Sequence, residues 1–140
     1  MEISAIVPSY NEEKNVPLIY ERLTKVLSQI SPQYEIIFVN DCSKDNTLET
    51  IKTISQQDSH VKYISFSRNF GHQIAVSAGL DFCKGNAVVI IDGDLQDPPE
   101  LILEMYNKYK EGYKVVYAKR LTREGETWFK KLTAKIFYRI

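Results

Sequence analysis

The chain has 140 residues, 44% hydrophobic and 26% charged, with a formal net charge of zero, which is the composition of one ordinary globular domain. No stretch approaches the roughly 20 apolar residues of a membrane span, and we expect no secretory leader before the first strand. Cys42 and Cys83 lie far apart and lack the spacing of a metal site, which favours a reducing compartment.

Strand and helix signals alternate along the chain. Short β-branched or aromatic runs closed by turn residues predict five strands, at Ile3–Val7, Tyr34–Asn40, Val61–Phe66, Ala87–Ile91 and Tyr113–Ala118. Apolar residues at helical spacing predict helices over residues 17–30, 47–57, 72–83 and 99–110. This alternation predicts an α/β fold with a Rossmann-like, mostly parallel sheet and helices on both faces.

Polar residues gather where the predicted strands end. In open parallel sheets, ligands bind beyond the carboxyl ends of the strands, so these residues are expected to face one cleft. They are residues 8–12, 40–41, 67–69 and 92–94, after the first, second, third and fourth strands respectively.

The fourth predicted strand runs into the sequence VVIIDGDLQDPPE, which places three carboxylates within six positions at the edge of the core. Such a cluster is unfavourable without a positive partner. Since alternate residues of an extended segment point the same way, Asp92 and Asp94 are expected to reach one point. Two or three protein oxygens, with the rest from water and phosphate, describe a Mg²⁺ or Mn²⁺ site that carries a diphosphate.

The neighbours of this acidic pair are interpreted in the same way. Gly93 is expected to leave room for a ligand near the backbone, and Gln96 can add a neutral oxygen. The alternative is that the acids cap a turn or helix before the two prolines that follow. Both interpretations stay open for Asp97. For Asp92 and Asp94 the metal site is favoured, because capping does not require two aligned acids.

Asp41 closes the second strand within VNDCSKDNT. Its carboxylate can accept the imino N–H that uracil or guanine offers and that adenine or cytosine lacks. Alternatively, Asp41 and Ser43 are turn and cap residues only. Asp45 is interpreted as structural.

The loops after the first and third strands offer further nucleotide contacts. Tyr10 can cover a base, while Asn11 and Glu12 can bind the nucleotide or cap the next helix. PSYNEE contains no glycine, which excludes a phosphate-cradling glycine-rich loop. Arg68 can pair with a neighbouring carboxylate or with a diphosphate, and both remain open.

Four motifs, PSYNEE, VNDCSKDNT, SRNFGHQIAVSAGL and IDGDLQDPPE, resemble in order and spacing the family 2 inverting glycosyltransferases of GT-A fold. More closely, they resemble the polyprenyl-phosphate sugar transferases, over nearly the whole chain. This resemblance implies transfer of a sugar from a UDP- or GDP-sugar to a polyprenyl phosphate, with inversion, for cell-envelope or O-antigen glycans. It also implies action at the cytoplasmic side of the cell membrane and no nucleic-acid partner.

The resemblance also implies roles for individual residues. The nucleotide sugar would be bound by Pro8, Tyr10, Asn11, Glu12, Asp41, Arg68, Asp92 and Gly93. The metal would be held by Asp92, Asp94 and Gln96, and the catalytic residues would be Asp94 and Arg120. Arg120 would meet acceptor or donor phosphate, and we expect Arg123 and Lys131 of the basic segment to join it at the acceptor phosphate. The chain departs from the family pattern at Cys42, where glycine is usual, and at His72, where lysine is common.

The basic C-terminal segment is expected to serve the acceptor. Residues 1–107 contain eight Lys and Arg against fifteen Asp and Glu, whereas residues 108–140 contain ten against three. From Trp128, helical spacing aligns an apolar side flanked by lysines, which predicts an amphipathic helix that either lies in a membrane interface or packs on the sheet. We therefore divide the chain into a donor- and metal-binding core, 1–118, and an acceptor segment, 119–140, of an enzyme expected to continue beyond Ile140.

Three other functions compete with this interpretation. A sugar-1-phosphate nucleotidyltransferase would carry a glycine- and arginine-containing loop after the first strand, which PSYNEE is not. A haloacid-dehalogenase-like phosphatase ordinarily has its paired aspartates on the first strand, whereas here they follow the fourth. A non-catalytic module that binds sugar nucleotides or lipid stays open for the fragment.

Overall fold

The computed structural model describes residues 1–120 and 129–138, with side chains described for residues 1–118. The strands are β1 (Ile3–Ser9), β2 (Tyr34–Asn40), β3 (Val61–Ser65), β4 (Ala87–Ile90), β5 (Val115–Arg120) and β6 (Phe129–Tyr138). The helices are α1 (Val16–Ile30), α2 (Thr47–Gln57), α3 (His72–Phe82) and α4 (Leu101–Lys110). Within the described residues, no helix has the length and apolar character needed to cross a membrane.

The strands form one sheet in the order β3-β2-β1-β4-β6-β5. The first four in this order are parallel, and β6 is antiparallel to both of its neighbours. The chain moves outward from β1 through β2 to β3 and then crosses back to β4 on the other side of β1. The predicted mostly parallel α/β sheet is confirmed, and its switch point lies between β1 and β4, where such folds bind ligands.

Each face of the sheet packs against its own helices. One face carries alternate β1 residues such as Ala5 and Val7 and packs against α1, α2 and α4. The opposite face, which includes Ile6, packs against α3. A Cβ at Gly79 would lie 2.5 Å from Ile6 Cγ2, so α3 approaches β1 more closely than any other residue at position 79 would permit. This packing holds α3 close against β1.

The helix predicted from Trp128 onward is wrong, because residues 129–138 form β6. β6 pairs with β4 on one side and β5 on the other, which satisfies backbone groups that would otherwise lie unpaired at the outer edge of β4. The segment also contains strand-favouring residues, Thr133 and Ile136 to Tyr138, so sheet pairing outweighs the local helical spacing. The part of the basic segment that the structure describes therefore belongs to the same sheet as the core. Trp128 itself lies outside the described residues.

Candidate functional site

The carboxyl ends of β1, β2, β3 and β4 lie at one edge of the sheet, as their parallel pairing requires. Backbone hydrogen bonds extend the pairing beyond the strands. Asp41 N–H donates to the Ser9 carbonyl at 3.0 Å, and Ile91 N–H donates to the Ile6 carbonyl at 3.0 Å. The loops that follow these strands therefore start from fixed positions at the same edge.

Side chains join the loops that follow β1 and β2. Asn11 N–H donates to Ser43 Oγ at 2.9 Å, and Asn11 Oδ1 accepts from Lys44 N–H at 2.8 Å. Glu12 N–H donates to Thr47 Oγ1 at 2.8 Å. Asn11 has a left-handed φ of 54°, which asparagine tolerates better than most residues. Through these contacts, Asn11 holds the loops after β1 and β2 together.

The other residues of PSYNEE differ in how accessible they are. Pro8 is buried within β1, whereas Tyr10 is 42% exposed at the end of that strand and is free to cover a base. Glu12 Oε2 accepts from Asn15 Nδ2 at 2.9 Å, and the Glu12 carbonyl accepts from the N–H groups of Asn15 and Val16. Glu12 was predicted either to bind the nucleotide or to cap the next helix. Its described contacts are those of a residue that shapes the start of α1.

Asp41 is a buried carboxylate, 5% exposed, that holds the loop after β3. Its Oδ1 accepts from Phe70 N–H at 2.8 Å, and its Oδ2 accepts from Gly71 N–H at 3.0 Å. Asn69 Nδ2 also donates to the Asp41 carbonyl at 3.2 Å. Each carboxylate oxygen can accept a further hydrogen bond, so Asp41 is a fixed acceptor at the end of β2 and more than a turn residue.

Arg68 lies beside an aromatic ring. Its guanidinium carbon is 4.6 Å from the centroid of Phe70, and the Phe70 ring meets Phe66 edge to face at 5.4 Å. Within residues 1–118, Arg68 forms no ion pair with a carboxylate. The two predicted partners of Arg68 were a neighbouring carboxylate and a diphosphate, and no such carboxylate is bound within residues 1–118. The guanidinium stacks on the ring, which keeps its N–H donors available for an anion.

The two acids after β4 have different surroundings. Asp92 is half-exposed, and its Oδ1 lies 2.7 Å from Nε2 of His72, the first residue of α3. Asp94 is exposed, and its Oδ1 accepts from Gln96 N–H at 3.1 Å, which closes a tight turn. Between Asp94 and Gln96, Leu95 has a left-handed φ of 63°, a strained conformation of the kind found at functional loops.

Gly93 is buried and lies close to the end of β1. A Cβ at this position would lie 3.2 Å from Ser9 Oγ and 3.3 Å from the Pro8 carbonyl oxygen. The missing side chain therefore lets the loop after β4 pack against the end of β1, and the role of Gly93 in leaving room for a ligand stays a prediction. This packing holds the acidic pair beside β1.

Within residues 1–120 and 129–138, no three His, Cys, Asp or Glu side chains converge on a metal position. Asp92, Asp94 and the side-chain oxygen of Gln96 offer oxygen donors, which are the ligands that Mg²⁺ and Mn²⁺ prefer. Such a set is incomplete by itself, because these ions are six-coordinate. The residues present fit a divalent cation that also binds diphosphate oxygens and water.

A pocket of about 150 Å³ opens beside Asp92. Its lining contains the polar residues His72, Asp92 and Asp97 together with apolar residues of β4 and α4. Ala118 of β5 lines the same pocket, which brings the end of β5 to the edge of the sheet where the acids lie. β5 continues from Ala118 to Arg120.

The structure describes only part of the predicted acceptor set. Arg120 ends β5, where its backbone pairs with Phe129, and Lys131 in β6 pairs with Lys119. Arg123 lies outside the described residues. The pairing brings Arg120 and Lys131 onto adjacent strands at the same end of the sheet.

Sequence reasoning assigned no role to His72 or Phe70, although both belong to the quoted SRNFGHQ motif. The contact of His72 with Asp92 and the capture of the Phe70 amide by Asp41 both join segments that are distant in sequence. One available signal was the position of His72 at the start of a predicted helix that follows a strand-end loop.

Comparison with known proteins identifies the family. The model of Glycosyl transferase family 2 matches residues 4–140. The uncharacterized glycosyltransferase YkcC of Bacillus subtilis is 57% identical over 140 residues, which are the whole chain and 43% of that protein. A prophage bactoprenol glucosyl transferase homolog of Escherichia coli is 41% identical over the whole chain and 46% of its own length. The chain thus spans under half the length of these relatives.

A solved structure shares the fold. The mannosyltransferase PcManGT from Pyrobaculum calidifontis, in complex with GDP-Man and Mn²⁺, matches with a TM-score of 0.65 and 26% identity. The match covers 87% of this chain and 36% of that one. The mostly parallel sheet is accordingly that of a GT-A fold. The chain belongs to glycosyl transferase family 2.

Proposed function

We propose that the chain is the sugar-nucleotide-binding part of an enzyme that transfers a sugar from a UDP- or GDP-sugar to a polyprenyl phosphate, with inversion. The observation that carries this proposal is the position of Asp92 and Asp94 at the switch point of the sheet, at the same edge as Asp41. The name of the E. coli relative supports the lipid acceptor, and the Mn²⁺ and GDP-Man bound by PcManGT support the donor side.

On the donor side, each strand end has one task. Tyr10 covers the base, and Asp41 accepts its imino N–H, which selects uracil or guanine over cytosine. Arg68 offers its guanidinium to the diphosphate. Asp92, Asp94 and Gln96 would hold Mg²⁺ or Mn²⁺, and a bound cation would neutralise the negative charge of the departing diphosphate.

On the acceptor side, the phosphate itself is the nucleophile. Its oxygen forms a bond to the anomeric carbon while the bond from that carbon to the diphosphate oxygen breaks, and the electron pair leaves with the nucleoside diphosphate. A phosphate is already an anion near neutral pH, so catalysis depends on in-line positioning and charge stabilisation more than on a strong general base. A single displacement converts an α-linked donor into a β-linked product.

We assign acceptor recruitment to the basic segment, residues 119–140, and donor binding to residues 1–118. Arg120, Arg123 and Lys131 attract the lipid phosphate at the cytoplasmic surface of the membrane. Each basic residue near an anionic bilayer contributes on the order of 1 kcal/mol, which salt screens. Arg120 has the catalytic task of orienting the acceptor phosphate, because β5 ends at the edge of the sheet that carries the acids.

The proposal is tested by measuring transfer of isotope-labelled sugar from a panel of UDP- and GDP-sugars to polyprenyl phosphate. The chain and a version extended to the length of its relatives are compared, with Mn²⁺ or with chelator. We expect a β-linked lipid product from an α-linked donor and none with chelator. A retained anomeric configuration overturns the direct-attack mechanism. If both versions bind the nucleotide but neither transfers the sugar, the protein is a sugar-nucleotide-binding module and not a transferase.

A further inference from the structure

The contact between His72 and Asp92 is a directional hydrogen bond. An ionised carboxylate only accepts, so the hydrogen lies on Nε2 of His72 and points to Asp92 Oδ1 at 2.7 Å. This bond occupies one oxygen of Asp92 and limits rotation of the carboxylate. The second oxygen, Oδ2, is left as the one free to meet a ligand.

The position of His72 is itself set from another strand. His72 begins α3, and the N–H groups of the two preceding residues, Phe70 and Gly71, are bound by the two oxygens of Asp41. Gly71 has a φ of 98°, which only glycine adopts without strain, and this turn directs the chain into α3. A series of contacts therefore runs from Asp41 at the end of β2, through Gly71 and His72, to Asp92 after β4.

This series passes over the end of β1, the strand that separates β2 from β4. Its two ends are the carboxylate proposed to accept the base and a carboxylate proposed to hold the cation. Partners that orient a ligating side chain typically change metal affinity 10- to 100-fold when removed, because the ligand must then be ordered on binding. A contact of 2.7 Å to one oxygen of Asp92 has this geometry.

We propose that His72 is a positioning residue for Asp92, and that Asp41 holds His72 in place through the Phe70 and Gly71 amides. The inference rests on the proposed function, since it concerns the cation and the nucleoside diphosphate of that site. It adds that recognition of the base and binding of the cation are coupled through α3. Substitution of His72 changes how strongly the cation reinforces nucleotide binding and leaves cation-free binding intact.

The experiment measures the affinity for UDP or GDP by calorimetry at one fixed pH, with Mn²⁺ and with chelator, and takes the ratio as the Mn²⁺ gain. We expect His72→Ala to reduce this gain roughly tenfold and to leave the affinity in chelator unchanged. His72→Lys should keep most of the gain, because its ammonium also donates to Asp92. Gln73→Ala, at the adjacent exposed position of α3, is the matched control and should match the wild type.

A double-substitution cycle tests the contribution of Asp41. Asp41→Asn weakens its hold on one of the two amides and should lower the Mn²⁺ gain in the wild-type background. In the His72→Ala background, the same substitution should leave the gain unchanged, because the path to Asp92 is already interrupted. Additive effects in the two backgrounds overturn the role of Asp41 in the series.

A measurement without nucleotide or metal completes the test. In the wild-type protein, NMR should show a downfield-shifted Nε2 proton of His72, as expected for a hydrogen bond to a carboxylate, and Asp92→Ala should remove this shift. A wild-type Mn²⁺ gain that His72→Ala leaves intact overturns the inference while the proposed function stands. No binding of either nucleotide by the wild type, with or without Mn²⁺, overturns the proposed function and the inference with it.

Discussion

Glu35 and Lys62 form an ion pair across β2 and β3, with Lys62 Nζ 2.8 Å from Glu35 Oε2. The Glu35 side chain is 1% exposed, and that of Lys62 is 47% exposed. The other oxygen of Glu35 accepts from Ser4 Oγ at 2.6 Å and from Lys84 N–H at 2.7 Å. This buried carboxylate therefore fixes the connection between α3 and β4 at the amino edge of the sheet, opposite the candidate site.

The stability of the fold should depend on pH through Glu35. Burial alone would raise the pKa of its carboxyl group, but the hydrogen bonds from Lys62, Ser4 and Lys84 outweigh it and lower the pKa below its ordinary value. Since the folded-state pKa lies below the unfolded value of about 4.3, the stabilisation is fully present above that pH. It is lost as the pH falls through the folded-state pKa.

Glu35→Gln should thus lower the free energy of unfolding at pH 7 by roughly 1–3 kcal/mol and flatten its fall in acid. Urea unfolding at a series of pH values measures both effects. Glu49→Gln, on the exposed side of α2, is the matched control and should change stability by no more than about 0.5 kcal/mol. If both variants lose the same free energy of unfolding, the hydrogen bonds and ion pair of Glu35 do not stabilise the fold more than an exposed glutamate does.

Cys42 should be a position where glycine stabilises the fold. Its φ of 57° is left-handed, a conformation that costs roughly 1–2 kcal/mol for a residue with a Cβ. Glycine avoids this cost and adds about 0.5–1 kcal/mol of backbone entropy loss on folding. Cys42→Gly should therefore raise the free energy of unfolding by about 0.5–1 kcal/mol, whereas Cys42→Ala should not. Denaturant unfolding of both variants measures these changes. If Cys42→Gly is less stable than the wild type, residue 42 is not strained in the folded protein.

The local elements were predicted well where the signal is local. β2 and α2 have the predicted bounds, because an apolar run closed by Asn40 and a helical pattern that begins at Thr47 depend on nearby residues only. β6 was missed because its pairing with β4 joins residues more than 40 positions apart, and no periodicity within the segment reports that pairing.

The candidate site divides in the same way. The strand-end rule located Asp41, Asp92 and Asp94 at one edge, since it requires only the order of the strands. The partners of those carboxylates were not predictable, because they depend on loop conformation. The His72 contact, for example, requires the left-handed turn at Gly71, and the sequence alone does not specify the direction of that turn.

Nucleotide binding should depend on metal through Asp94. Asp94→Asn keeps the size of the side chain and an acceptor for the Gln96 N–H, and removes the negative charge that a cation requires. We expect the Mn²⁺-dependent affinity for UDP or GDP to fall at least tenfold, about 1.4 kcal/mol, in calorimetry. Asp81→Asn, an exposed acid on α3, is the control. An unchanged affinity in a folded Asp94→Asn protein removes Asp94 from the metal site.

Asp41 should decide which bases are accepted. In Asp41→Asn, the side-chain amide can turn a donor toward the base, so it no longer matches the imino N–H of uracil or guanine and suits the ring acceptor of cytosine. The affinity for the preferred nucleotide should fall by about 1–3 kcal/mol, and discrimination against CDP should narrow. Asp81→Asn, the same chemical change at an exposed position of α3, serves as the control. Unchanged selectivity among UDP, GDP and CDP would leave Asp41 with its loop-holding role alone.

The basic segment should bind anionic membranes through Arg120 and Arg123. Each basic residue near an anionic bilayer contributes on the order of 1 kcal/mol, so the double substitution to Ala should weaken vesicle binding by about 2 kcal/mol, roughly 30-fold. Cosedimentation with anionic vesicles at low and high salt measures this loss, and high salt should release the wild type. Replacing Lys25 and Lys52, exposed on α1 and α2, with Ala is the matched control for total charge. If vesicle binding responds neither to salt nor to the Arg120 and Arg123 double substitution, lipid recruitment belongs to another part of the enzyme. An unchanged UDP affinity in the double variant would confirm that donor binding is separate from lipid binding.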